Sequence, residues 1–377
     1  MIDAPGLPLT LLAFIAVIGP LVFVHEMGHY LAARWFGVKS EAFSIGFGRE
    51  VFGRTDSRGT RWKIGWLPLG GYVRFAGDMN PASQPSAEWL SLPAAERAQT
   101  FQAKPVWQRA IIVAAGPLVN FLFAIIILAG FAYFYGERYA PPVVAQVVQE
   151  SPAAAAGIRP GDRILSLSGR EMESFADIAQ FTMIRPDETV PAVIDRGGSQ
   201  VTVRLAIGAT VQRDRFGNEF RIGRVGIASP PADYRPVPLL RAPLVGVERL
   251  VTIIDTTIDT LGQIITGRRS VEELGGPIRI AKVSGEQMSL GWPEFIGLVA
   301  LVSINLGFIN LLPVPMLDGG HLLFYAIEAV RRKPVSGQVQ EWAFRGGMAA
   351  ILALMLLVTF NDLGAFGLWR NLAGLIG

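Results

Sequence analysis

The chain has 377 residues, 51% of them hydrophobic and only 17% charged, with a formal net charge of +3. A mean hydropathy of +0.38 argues against a purely water-solvated fold. The absence of cysteine rules out disulfides and thiolate metal sites, and there are only three histidines, where average usage of roughly 2% would give about eight. A pI near 9.3 could suggest nucleic acid, but the basic residues flank apolar runs instead of forming one stripe, so no nucleic-acid partner is expected.

The first uncharged run, Gly6 to Val24, is nineteen residues long, close to the roughly 20 needed to cross a hydrocarbon core. It is longer than a signal-peptide core and no basic segment precedes it, so it is read as a span over about 6–31. A second run, Ile111 to Tyr135, ends in the aromatic cluster Phe131, Tyr133, Phe134 and Tyr135, which suits a membrane interface. It predicts a span over about 108–135. The loop between them, with a hairpin expected over about 40–105, carries Arg34, Lys39, Arg49, Arg54, Arg58, Arg61, Lys63, Arg74, Arg97, Lys104 and Arg109. By the positive-inside rule that loop is cytoplasmic and the N-terminus lies outside.

Between the second and third runs lies a segment of ordinary soluble composition, expected on the outer side. Alternating stretches such as Val143 to Val148 and Gln200 to Ile207 read as strands. A further segment, Leu244 to Thr266, spaces its apolar residues helically and sets Glu248, Asp255 and Asp259 on another face. It is expected as an amphipathic helix on the membrane surface, within a linker region of 240–290. The third run, Phe295 to Leu317, holds twenty-three uncharged residues and predicts a span over about 293–317. Arg331, Arg332 and Lys333 follow it on the cytoplasmic side. A fourth run, Gly346 to Asn361, has sixteen, so a span over about 344–366 needs its flanks or local thinning. The expected fold class is a polytopic α-helical membrane protein of about four spans, with a membrane-associated β-hairpin and an inserted α+β domain.

Residues 25–29 read His-Glu-Met-Gly-His at the end of the first apolar run. Histidines at i and i+4 share one helix face, so both imidazoles can reach one zinc ion with Glu26 beside it. Ionisable groups at the end of a span are costly and functional by default. A catalytic zinc usually takes three protein ligands, which leaves His321 and the carboxylates as candidates for the third. Asp318, within Asn310-Leu311-Leu312-Pro313-Val314-Pro315-Met316-Leu317-Asp318-Gly319-Gly320-His321, is the first charge after the third run. The first and third spans run in the same direction, so the two motifs lie at similar depth. Asn120, an amide inside the second span, either orients the metal site or joins helices.

The motifs HEMGH at 25–29, AAGPLVNF at 114–121 and NLLPVPMLDGGH at 310–321, with the insert between them, closely resemble the site-2 protease family of intramembrane zinc metalloproteases. Within it the chain is most similar to the regulator of sigma-E protease group. The resemblance implies one zinc ion per chain held by His25, His29 and Asp318, Glu26 as general base, and Asn310 and Asn305 as substrate-backbone contacts. Segment 61–75 is expected to form a hairpin whose free edge takes the unwound substrate as an added strand near Gly70 and Gly71; an ordinary connector hairpin is the alternative. The pattern Gly157-Ile158-Arg159-Pro160-Gly161-Asp162 leading into Arg163-Ile164-Leu165-Ser166-Leu167 resembles a PDZ domain over 141–230. Well-known members of the group carry two such domains, and this chain has room for one.

The domain organisation expected is therefore a core half at 1–137, the PDZ-like domain at 141–230, the linker at 240–290 and a second core half at 291–377. Expected partners are the lipid bilayer and single-pass membrane substrates, such as an anti-sigma factor already trimmed on its outer side, or remnant signal peptides. The expected location is the bacterial inner membrane, with both termini and the PDZ-like domain periplasmic and the active site toward the cytoplasm. A catalytically silent PDZ-bearing scaffold would not need Glu26, and a metal transporter predicts internal repeats that the sequence does not show.

Overall fold

A computed structural model describes residues 5–77, 93–213, 219–267 and 275–365. The middle of the expected cytoplasmic loop (78–92) and the end of the expected last span at 366 fall outside these residues. In chain order the described residues form helix α1 (Leu7–Trp35), strands β1 (Ser40–Thr55) and β2 (Arg61–Phe75), and helix α2 (Val106–Tyr135). Next come strands β3 (Arg163–Leu167) and β4 (Arg170–Glu171), helix α3 (Phe175–Met183), and strands β5 (Thr189–Arg196) and β6 (Ser199–Ala206). Helices α4 (Ala242–Ile265), α5 (Pro277–Leu290), α6 (Trp292–Leu311), α7 (Asp318–Arg331) and α8 (Gly337–Ala365) complete the chain. The helices α1, α2, α6 and α8 are long and apolar enough to cross a membrane. The chain divides into two compact units: residues 1–129, 243–258 and 274–362 in one, and residues 130–242, 259–273 and 363–377 in the other.

In the helical unit, α1 buries a stripe at Ala13, Val17, Leu21, His25, Gly28, His29 and Ala33, a helical repeat that continues from apolar to chemical residues without changing face. Its apolar part meets Phe295 and Val299 of α6. Helices α1 and α2 approach closely at Gly28, where a Cβ would lie 2.5 Å from the Ala115 carbonyl oxygen. Small residues at such crossings let backbones pack directly. The amphipathic segment after residue 242 forms α4, whose Leu250 packs with Ala124 and Ile304, while Gly246 abuts the Ile125 carbonyl of α2.

Two expectations for this unit change. The third apolar run does not stay helical to 317: α6 ends at Leu311, because Pro313 and Pro315 cannot continue an intrahelical ladder. The chain then turns through Met316, at φ +89°, and starts α7 at Asp318. The fourth helix begins at Gly337 instead of 344.

The hairpin also differs. Segment 61–75 is not a hairpin in itself but the second partner of a folded two-strand sheet. Residues 42–45 of β1 pair with 71–74 on one side and with 61–64 on the other, while 50–55 pair with 61–65. Each strand therefore doubles back, β1 through Gly46 and Gly48 and β2 through Gly70, all at positive φ, where a side chain would be strained. The outer lanes are 50–55 and 71–75, and 61–65 lies inside the sheet.

The second unit is built around a four-stranded sheet of order β4-β3-β5-β6. Helix α3 starts in a capping box between Ser174 and Asp177, which satisfies its first backbone donors. Its Ile178 and Phe181 join Ile164, Leu167, Ala192, Ile194 and Leu205 in one apolar core. Five residues within the expected domain, 214–218, lie outside the described set.

Candidate metal centre

Three side chains converge in the helical unit. His25 Nε2 lies 3.2 Å from Asp318 Oδ2, His29 Nε2 lies 3.6 Å from the same oxygen, and the two Nε2 atoms are 3.2 Å apart. Among the described residues they form the one cluster of histidine and carboxylate atoms placed to share a metal ion. Donors bonded at about 2.0–2.1 Å to a tetrahedral zinc stand roughly 3.4 Å from one another, so the spacing and the N,N,O donor set fit that ion. Asp318 Oδ2 is buried and accepts no hydrogen bond of sound geometry, an orphan atom that a cation would satisfy.

Each imidazole is held from behind. His29 Nδ1–H donates to the Ile112 carbonyl at 2.9 Å, which leaves the Nε2 lone pair pointing into the cluster. The ring also needs Gly116, since any Cβ there would overlap it. His25 Nδ1 stands 3.1 Å from the Asn120 side-chain amide, and Asn120 Oδ1 is buried without a partner. An imidazole that ligates through Nε2 carries its proton on Nδ1 and needs an acceptor there. Turning the amide so that Oδ1 takes that proton satisfies both groups. Asn120 is in turn seated by Ser303, whose hydroxyl donates 2.8 Å to its backbone carbonyl. The amide therefore touches the site directly and joins α2 to α6 through its backbone.

Asp318 reaches the histidines because the chain folds back before α7. A Cβ on Gly319 or Gly320 would run into the carbonyls of Leu311, Leu312 and Val314, so only glycine permits that fold. Three turns on, Arg109 of α2 bonds Glu328 at 2.7 Å with both side chains largely buried, and its guanidinium lies over the Tyr325 ring. The pair ties α7 to the start of α2. His321 does not join the cluster; its ring packs 5.0 Å from that of Phe344.

Glu26 is buried beside its two histidine neighbours on α1. The Val73 backbone N–H lies within hydrogen-bonding reach of its carboxylate. Gly71 sits against the same stretch of helix, with a hypothetical Cβ 2.7 Å from Val22 Cγ1 and 3.1 Å from Glu26 Cγ. The outer lane 71–75 thus runs past the cluster, whereas Gly70 faces the Phe47 ring. On α6, Asn310 follows Ser303 and Gly307 at helical spacing, the face that meets α2. Asn305, two residues from Ser303, falls on another face. The structure links neither asparagine to the three converging side chains.

The Ser303 seat, the Ile112 carbonyl and the Arg109–Glu328 pair are invisible in the linear sequence, since their partners lie 183, 83 and 219 residues away. The glycines did leave a trace, as fixed points inside HEMGH and AAGPLVNF.

A family model for peptidase family M50 matches residues 13–354. The chain therefore belongs to peptidase family M50, the site-2 proteases, and is a metalloprotease. It is 44% identical over 93% of its length to a protein of Agrobacterium fabrum named as a candidate zinc metalloprotease, covering 95% of that protein. With metalloprotease MmpA of Caulobacter vibrioides it shares 36% identity over 98% of this chain and 99% of the other. A solved PDZ domain of an SdrC-like protein from Listeria monocytogenes overlaps 24% of this chain and 88% of that domain at 21% identity, but a TM-score of 0.20 is too low to assign a fold.

Proposed function

We propose that this chain is a zinc endopeptidase that resides in the bacterial inner membrane and cuts the transmembrane segments of single-pass proteins. The observation that carries the reading is the convergence of His25 and His29, on a helix apolar enough to cross a bilayer, with Asp318 at the start of α7, at tetrahedral spacing. These three residues would hold one zinc ion, which when bound would supply Lewis acidity to activate water at neutral pH and polarise a peptide carbonyl. Glu26 takes the proton of the attacking water and returns it to the leaving amine. Asn120 and the Ile112 carbonyl keep both imidazoles in the ligating tautomer.

A helical substrate hides its carbonyls in its own ladder and must unwind before attack. The lane 71–75 offers the backbone edge next to Glu26, so the unwound segment is added there as a strand. Apolar side chains exposed on the same sheet, Phe47, Val51, Phe52, Ile64 and Trp66, suit a hairpin dipping into lipid. The basic loop after α1 supports a cytoplasmic site, with the module between 141 and 230 and both termini periplasmic. We read that module as a PDZ-like filter for the outer part of the substrate, which fits anti-sigma factors already trimmed outside and remnant signal peptides.

The decisive variant is Glu26→Gln, which keeps the shape of the side chain and removes its basicity. Cleavage of a reporter transmembrane segment by the purified enzyme should fall by about 10²–10⁴-fold with zinc content unchanged. Cleavage at the wild-type rate would defeat the reading. The substrate edge is tested by cross-linking, made simple because the chain has no cysteine. On addition of a mild oxidant, Tyr72→Cys should form a disulfide with a cysteine in the reporter segment, and Phe52→Cys on the far lane should not. Equal capture at both positions would remove the edge model.

A further inference from the structure

Just past the end of α1 lies a cavity of about 590 Å³, within the range that accommodates small ligands. Its rim carries Arg34, Lys39 and Arg58, all exposed, and its floor is made by Tyr30, Ser40 and Thr60, all buried. No acidic side chain lines it. Other cations of the same sheet do have acidic partners: Arg61 pairs with Glu50 and Arg74 with Glu41. Asp56, the acid of the adjoining turn, is committed to the backbone N–H groups of Arg58 and Thr60 and to the Trp62 indole. Among the described residues, none of the three rim cations has an acidic partner. The Ser40 hydroxyl is buried with no partner of its own.

Three like charges around one hollow repel one another unless a counter-anion sits between them. The unpartnered Ser40 hydroxyl below and guanidinium or ammonium groups above match the oxygens of a phosphate, while the Thr60 hydroxyl is committed to the Ser40 carbonyl. We infer that this cavity is a phosphate-binding site, separate from the metal cluster, whose natural occupant is the headgroup of an anionic phospholipid. The lipid source is favoured by the aromatic side chains nearby. Trp35 and Trp107 are exposed, and Phe36 packs edge-on against Trp107, the composition of an interfacial belt. Basic pockets beside spanning helices on the cytoplasmic side capture such headgroups. The lipid assignment rests on the membrane reading above, whereas the phosphate chemistry does not.

The test uses the full-length Glu26→Gln protein in mild detergent, so that lipid binding is measured independently of proteolysis. Native mass spectrometry should show one phosphatidylglycerol retained per chain. The double variant Arg34→Gln with Arg58→Gln should weaken that binding on the order of tenfold, and Lys39→Gln should weaken it less. A control pair outside the cavity, Arg49→Gln with Arg54→Gln, should bind as the wild type does. Inorganic phosphate added at millimolar concentration separates the sources. Failure to displace the lipid assigns the site to the headgroup, and displacement with binding of phosphate alone assigns it to a soluble phosphate. Equal lipid retention by the cavity variants, the control and the wild type would overturn the proposal. If Glu26→Gln still cleaved, the protease mechanism would fall while the lipid result stood.

Discussion

Asp162 of the β-rich unit and the His25–His29–Asp318 cluster of the helical unit handle buried charge in opposite ways. In the β-rich unit, Asp162 is buried but engages Arg196 at 2.7 Å and accepts the Arg159 backbone N–H, so its charge is neutralised locally and secures the turn before β3. In the helical unit, His25 and His29 of the apolar helix α1 meet Asp318 at the start of α7. Their ring nitrogens and carboxylate oxygen point at one another, and one oxygen is left without a hydrogen bond. The first arrangement is complete in itself. The second has the spacing that a cation would need, and its supports, Asn120 and the Ile112 carbonyl, act on ring orientation and not on charge. Charge that closes on its own partner reports stability; charge left convergent reports chemistry.

That contrast can be broken most sharply at Asn120. Asn120→Leu keeps the bulk of the side chain in the helix interface and removes the acceptor for His25. Zinc affinity, measured by competition with a chelator, should fall about 10–100-fold, with the β-rich unit unaffected. A variant that kept full affinity would reduce Asn120 to a packing residue.

A smaller effect is expected in the other unit. The Arg196 guanidinium, helped by the Arg159 backbone N–H, holds the Asp162 carboxyl below its ordinary range. A depressed folded value gives stability that is present above the unfolded value of about 4 and lost as pH falls through the folded one. Hydrogen exchange of the β3 and β5 amides should therefore stay slow at neutral pH and accelerate only below about pH 4. Arg196→Gln should speed exchange already at neutral pH, shrink the further loss on acidification, and leave zinc content unchanged. An identical pH profile in the variant would show that the pair does not stabilise the unit.

The sequence disclosed the cluster better than the architecture around it. His25 and His29 are legible because helical spacing alone puts them on one face, and Asp318 because it is the first charge after a long apolar run. The return of the chain from Leu311 to Asp318 is also written in its prolines and glycines, although the exact helix end is not. The doubled-back sheet is different. Alternation marks β1 and β2 as strands, but which lane lies outermost depends on where Gly46, Gly48 and Gly70 turn the chain, and local pattern cannot set that. Asp362 is a further case. It sits in the last apolar helix and accepts the N–H groups of Gly276 and Arg279, capping α5 across 86 residues. A carboxylate so placed caps a helix that lies far away in the sequence.

In the proposed metal site Asp318, and not the nearby His321, is the third ligand. The direct measurement is zinc per chain in purified Asp318→Ala and His321→Ala proteins, with reporter cleavage followed on the same samples. Asp318→Ala should lose both zinc and cleavage, while His321→Ala, which removes only a ring packed against Phe344, should keep its zinc. Full zinc and activity in Asp318→Ala, together with loss of both in His321→Ala, would contradict that assignment.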